Sequence, residues 1–378
     1  MQRLYWRPAH VSRSVHVLMA ALSVVVLFAA ERFQVSHVQP HFEEKQKAAT
    51  RMLLGMDVLR THRIRHVAKV DSEIDPTESG MLGTSASTTT TSSGSLEAKR
   101  TTVNPNWAAV LVDMLYDAGV ERGDLVALGV SGSFPALNLA AFAAAEELDL
   151  ELVSIASAGA SSWGANFPNY SWLRMESVLR RAGVISNHSV AASLGGVQDR
   201  ALGMSAKGRR HLRAAIDDSG ATFLSTETKE ASIERRMDTY ADVAAGRRFA
   251  VYINAGGSLV SIGPKSVKRL NRPGLIRRPH ARGAQVDSVM MRFLRDGVPV
   301  INLSKVVPLA ERYGLPVEPV EMPRAGEGRI FERREHSRLL LVALLGGLIA
   351  ALYGMLRLGL GAQMATLGGG SSRFERRV

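Results

Sequence analysis

The 378-residue chain contains no cysteine. That excludes a disulfide framework, a thiolate nucleophile, an iron–sulfur cluster and a cysteine-ligated zinc, and it leaves the redox compartment open. The sequence also lacks a GxGxxG fingerprint and a P-loop ending in Gly-Lys-Ser/Thr, so neither common phosphate cradle is present. His62 and His66 stand four apart, but without the glutamate of an HExxH motif they are not read as a metal site. No metal and no cofactor are expected. There is no internal repeat, and residues 262–283 contain no acidic side chain. What is present in bulk is ordinary: 46% hydrophobic and 22% charged residues exclude both a fully disordered chain and a polytopic protein apolar throughout. The length suits about two ordinary domains. A formal charge of +12 favours contact with something acidic: nucleic acid, anionic lipid, or an acidic substrate or polymer.

The averages hide two apolar ends. Residues 15–30 (VHVLMAALSVVVLFAA) follow Arg3, Arg7 and Arg13, and residues 339–356 (LLLVALLGGLIAALYGML) lie between Arg338 and Arg357. Both are expected to be transmembrane helices. A cleaved signal peptide is the alternative for the first, although Phe28 and Ala30 do not make a small-x-small cleavage pattern. Arginines before the first span and after the second (Arg357, Arg373, Arg376, Arg377) place both termini in the cytoplasm and the middle outside the cell membrane; Arg329, Arg333, Arg334 and Arg338 argue the other way. The expected organisation is an anchor over 1–36, a juxtamembrane helix and Thr/Ser-rich linker over 37–95, an α/β domain over 96–322, a linker over 323–338, a membrane helix over 339–356 and a basic tail over 357–378.

From residue 105 helical and strand patterns alternate. Helices are expected over 105–118, 135–148, 172–182, 205–219, 230–245 and 286–296. Strands are expected over 125–130, 152–156, 190–194, 222–224, 249–254 and 300–303. Such alternation predicts a Rossmann-like, mostly parallel sheet with helices on both faces, whose ligands bind beyond the carboxyl ends of the strands. Three loops should converge there. The first carries Ser131, Gly132 and Ser133 and runs into a helix at Pro135 that includes Asn138; the second carries Ser161, Ser162, Trp163 and Asn166; the third carries Asn254, Gly256 and Gly257. Small residues and hydroxyls at a helix start favour a carboxylate or phosphate. Ser131 and Ser133 are also candidate nucleophiles, although Ser133 stands where a GxSxG elbow has its second glycine. Plain helix capping is the bland alternative. No histidine lies in these loops, and Asp199, in a fourth, is their only carboxylate.

Lys265, Lys268, Arg269, Arg272, Arg277, Arg278 and Arg282 form a charge-only segment, read as an exposed loop that contacts an acidic polymer or lipid headgroups, or is simply solvated. No aromatic residues interleave these charges and no recognised binding module is present, so nucleic acid is not expected.

Several strings carry a family likeness. LEAKRTT (96–102) with Asn104 and Pro105, SGSFPALN (131–138), GASSWGAN (159–166) with Trp172 and Leu173, ASLGG (192–196), SIERR (232–236) and NAGG (254–257) resemble the poly-γ-glutamate system protein family. The likeness spans roughly residues 96–303. It implies a bacterial membrane protein associated with the machinery that makes and exports poly-γ-glutamate, and it carries over no catalytic residues. It also implies that the Thr/Ser run before Lys99 and Arg100 is an ordered binding loop, against its composition.

Three functional readings follow. The first is a membrane-anchored accessory protein, partnered by synthase and export components, that binds an acidic polymer or glutamyl precursor. The second is a membrane-tethered hydrolase or transferase acting on γ-glutamyl or phosphoryl bonds through Ser131 or Ser133. The third is a non-catalytic scaffold of the synthase complex.

Overall fold

A computed structural model of the chain describes residues 13–264, 269–281 and 285–357. Two units divide it, 38–332 and the two ends together. The larger unit is built on a seven-stranded sheet in the order β7-β6-β4-β3-β8-β10-β9. Its strands are β3 (Leu125–Ser131), β4 (Glu151–Ser157), β6 (Ser189–Ser193), β7 (Thr222–Phe223), β8 (Val251–Asn254), β9 (Gly274–Ile276) and β10 (Val300–Asn302). All neighbours are parallel except the edge pair β10–β9, which is antiparallel. The mostly parallel α/β sheet expected from the alternation is therefore present.

Alternation along the strands sends side chains into two cores. Val126, Leu128 and Val130 of β3 join one with Leu152, Ile253 and Ile301. Leu125 and Ala127 join the other with Val153, Ile155, Tyr252 and Val300. Because both faces are covered, β3 is buried along its whole length, which is why it reads as a continuous apolar run.

The first face is covered by α4 (Trp107–Ala118), α5 (Pro135–Glu147) and α6 (Trp172–Arg181), and α2 (Phe42–His66) packs over these as a further layer. That outer layer explains why α4 and α5 are apolar nearly all round. Lys45 of α2 is buried and paired with Asp113 of α4 at 2.5 Å. The second face is covered by α8 (Lys229–Ala244), α9 (Leu259–Ile262) and α10 (Val289–Arg295). Ser205 and Thr228 cap the starts of α7 (Ala206–Ser219) and α8, accepting from the backbone N–H of Gly208 and Ala231.

Residues 83–95 depart from the expected linker. They form an ordered segment with Thr89 buried, and β2 (Thr90–Ser92) pairs in parallel with β5 (Ala160–Ser161). Composition suggests a segment unable to bury a core of its own. Here the order comes from polar bonds instead: Asn166 Oδ1 accepts from Thr84 N, its Nδ2 donates to Thr84 O and Thr90 Oγ1, and Thr89 Oγ1 donates to Asn166 O.

The smaller unit contains α1 (Arg13–Arg32), β1 (Gln34–Val38), β11 (Glu332–His336) and the last helix (Arg338–Arg357), with β1 paired to β11. Among the described residues one helix, over Arg338–Met355, is long and apolar enough to cross a membrane, not the two expected. The basic tail beyond residue 357 lies outside the described residues.

Candidate functional site

The chain runs from β3 outward through β4, β6 and β7, then returns to place β8 on the other side of β3. The reversal opens a crevice at the carboxyl ends of β3 and β8, where doubly wound sheets bind ligands. A cleft of about 470 Å³ lies there. Its lining includes nine serines, Thr91 and a single charged residue, Lys99, with no carboxylate.

The loops interlock by backbone bonds. Gly132 N donates to Ser157 O at the end of β4, and Gly132 O accepts from Ala165 N at 2.7 Å. Ser133 N donates to Ser131 Oγ, and Ser161 N donates to Ser133 Oγ at 3.1 Å. The β2 segment closes another side, and Gly94 has to be glycine there: a Cβ would stand 2.5 Å from Ser162 O and 3.0 Å from Ser161 Oγ.

Lys99 sits on α3 (Leu96–Thr102), whose start is capped by Ser95. Its side chain is only 1% exposed. Its ammonium lies 3.6 Å from the centre of the Phe134 ring, donates to Ser133 O and stands 3.0 Å from Ser161 Oγ. Burial without a counter-charge pushes its pKa down to about 7.

Beneath the cleft is a second polar cluster. Arg236 of α8 pairs with Asp199 at 3.0 Å, both side chains nearly inaccessible. Arg236 Nη2 also donates to Ser157 Oγ and Ser193 Oγ, at the ends of β4 and β6. Asp199 accepts from Ser193 Oγ and Ser232 Oγ. The cluster fixes the turn after β6, where Gly195 and Gly196 take φ of 76° and 72°. Gly196 and Val197 of that turn line the cleft, as does Ser157.

Of the residues expected to bind ligand, Lys99, Ser131, Ser133, Ser161 and Gly257 line the cleft. The others serve the framework. Asn138 is buried and donates to Ser131 O; Asn166 holds the 84–90 segment; Asn254 donates to Gly256 O and Asn302 Oδ1. Trp163 bonds through its backbone to Gly83 and Thr84 at a φ of 64°, and Ser162 N bonds Ser92 O. Gly132 sits where a Cβ would press on Ala160, and Gly256 where one would press on Ser131 Oγ. Arg100 turns away to Glu73 O, Ile74 O and Glu318. In the basic segment Arg269, Arg272, Arg277 and Arg278 are exposed, and Arg277 donates to Asp117 O. Lys265, Lys268 and Arg282 lie outside the described residues. Ser157 and the Arg236–Asp199 pair were not expected from the sequence, where only the SIERR string pointed towards Arg236; the Ser92–Ser95 wall was expected from the family likeness alone, against its composition.

Comparison of the chain with protein-family models, curated proteins and solved structures finds no match.

Proposed function

We propose that this chain is a membrane-anchored accessory protein of poly-γ-glutamate synthesis or export, and that its α/β unit binds a carboxylate-bearing ligand, an acidic polymer or glutamyl precursor, in the serine-lined cleft. The observation that carries the reading is the composition of that cleft: hydroxyl donors and one buried lysine at the switch point of the sheet, with no carboxylate to repel an anion. The family likeness supplies the identity of the polymer. The exposed arginines Arg269, Arg272, Arg277 and Arg278 offer a screened, longer-range attraction for further carboxylates along the same chain.

Calorimetric titration of a short γ-glutamate oligomer into the detergent-solubilised protein tests this. Wild type is expected to bind at about 0.15 M salt, and Lys99→Met to bind roughly ten- to a hundredfold more weakly, the range for losing a charged hydrogen bond. Absence of binding to folded wild type would end the ligand reading.

In the same proposal the apolar helix over Arg338–Met355 anchors the chain, α1 forms a second span, both termini are cytoplasmic and the α/β unit is extracytoplasmic. The arginines outside the two apolar segments support this arrangement. Because the chain has no cysteine, Glu327→Cys at an exposed position creates a unique thiol. A membrane-impermeant maleimide should label it on intact cells, while a fluorescent protein fused to the C-terminus remains inside. Labelling only after lysis would reverse the assignment.

A further inference from the structure

We infer that Ser161 and Lys99 form a nucleophile–base pair that gives the cleft acyl-transfer chemistry, with an amide or ester of a carboxylic acid as acyl donor and water as acceptor. The pair stands on the geometry of the cleft, with the titration of Lys99 in support; only the choice of a glutamyl acyl group rests on the ligand reading above.

Ser161 Oγ and Lys99 Nζ are 3.0 Å apart, within the reach a base needs of its nucleophile. Both are in the cleft lining. The serine backbone is fixed at both sides: its N–H donates to Ser133 Oγ, and β5 pairs with β2 in the register Ser92↔Ser161. Gly94 passes beside it, where a Cβ would stand 3.0 Å from the hydroxyl. Lys99 is held by its bond to Ser133 O and by the Phe134 ring. Among the described residues no carboxylate pairs with it. Its depressed pKa, about 7, leaves a large share of the amine neutral near neutral pH. In that form its lone pair can accept the Ser161 proton while an N–H still donates to Ser133 O.

The sequence pointed instead to Ser131 and Ser133. Their hydroxyls accept from the backbone N–H groups of Ser133 and Ser161, and among the described residues neither is bonded to a basic side chain.

The step balances without a further reactant. Ser161 Oγ attacks the acyl carbon, its proton passes to Lys99 Nζ, and the carbonyl π pair moves onto oxygen. Collapse of the tetrahedral adduct breaks the bond to the amine or alcohol, which leaves with the proton from Lys99. Water then attacks the Ser161 ester, giving a proton to Lys99; collapse returns that proton to Ser161 Oγ and releases the carboxylic acid. A carboxylate product pairs with protonated Lys99, so ligand binding and acyl transfer use one side chain in its two protonation states.

The test is reaction of the full-length protein in detergent with a fluorophosphonate probe, read by intact mass and peptide mapping across pH 5 to 9. One adduct on Ser161 is expected, forming faster as pH rises through about 7 and then levelling. Ser161→Ala should not react, and Lys99→Met should react about 100-fold more slowly or less. No adduct on folded wild type at pH 9, an adduct confined to Ser131, or a rate independent of pH would overturn the pair; the last reading needs no Lys99 variant to fold. Titrating the same samples with the γ-glutamate oligomer separates the two proposals. Labelling without oligomer binding removes the ligand reading alone, and binding without labelling removes the pair alone.

Discussion

Arg236→Met is expected to destabilise the α/β unit by about 3–5 kcal/mol, the cost of leaving a buried carboxylate without its counter-charge. Asp199 is 4% exposed and Arg236 3%, so water cannot replace the lost partner. Two serine hydroxyls would remain on the carboxylate, but they supply dipoles, not a charge. The loss has a second consequence. Arg236 ties the ends of β4 and β6 to the turn carrying Gly196 and Val197, so the variant should also bind ligand more weakly even where it is folded. Arg236→Lys keeps the charge, but its ammonium is not the planar guanidinium whose Nη2 meets Asp199, Ser157 and Ser193, and it should recover only part of the stability. Chemical denaturation of the three proteins measures the effect; a loss under about 1 kcal/mol in Arg236→Met would mean that the pair contributes little net stability, as some buried ion pairs do.

Lys99 is expected to make stability rise with pH. Unfolded, its amine titrates near 10.5; folded, near 7. Between those values the unfolded chain holds a proton that the folded chain has released, so folding becomes more favourable as pH increases. Below 7 the domain must bury an ammonium, and the penalty is then fully present. Over the whole window the difference is on the order of 5 kcal/mol, at about 1.4 kcal/mol for each pKa unit. Lys99→Met removes this dependence while filling similar volume, so it should be more stable than wild type at pH 6 and lose that advantage towards pH 10. Denaturation midpoints of the two proteins at matched pH give the difference directly; parallel curves would show that Lys99 stays charged in the folded state.

Much of the frame is legible because it is apolar. β3, β4 and β8 are buried on both faces, and the helix starts at Ser205 and Thr228 carry side chains that cap them. The antiparallel edge strand β9 was not legible, because its three residues sit inside a run dominated by arginine and lysine. The site was partly legible, and the reason divides the residues. Strand-end loops point to Ser131, Ser133 and Ser161 because topology alone brings them together. The asparagines misled because an amide can satisfy loop backbone as readily as ligand, and Asn138, Asn166 and Asn254 do the former. Arg235 and Arg236 look alike in sequence. Only packing against β4 and β6 shows that Arg236 is buried and Arg235 exposed. The Thr/Ser segment hid its role for a related reason: its order comes from hydroxyl and backbone bonds, which leave no apolar pattern.

At pH 8 Lys99 is largely neutral before ligand binds, and it becomes charged when a carboxylate arrives. A carboxylate beside Lys99 raises the pKa of the amine, so binding above pH 7 must draw a proton from solvent. Calorimetric titration of the γ-glutamate oligomer at pH 8, repeated in HEPES and in Tris, whose ionisation enthalpies differ, counts that proton. Uptake of close to one proton is expected for each oligomer bound by wild type, and none by Lys99→Met at ligand concentrations that still saturate it. Binding with the same heat in both buffers, or the same uptake in the variant, would contradict it.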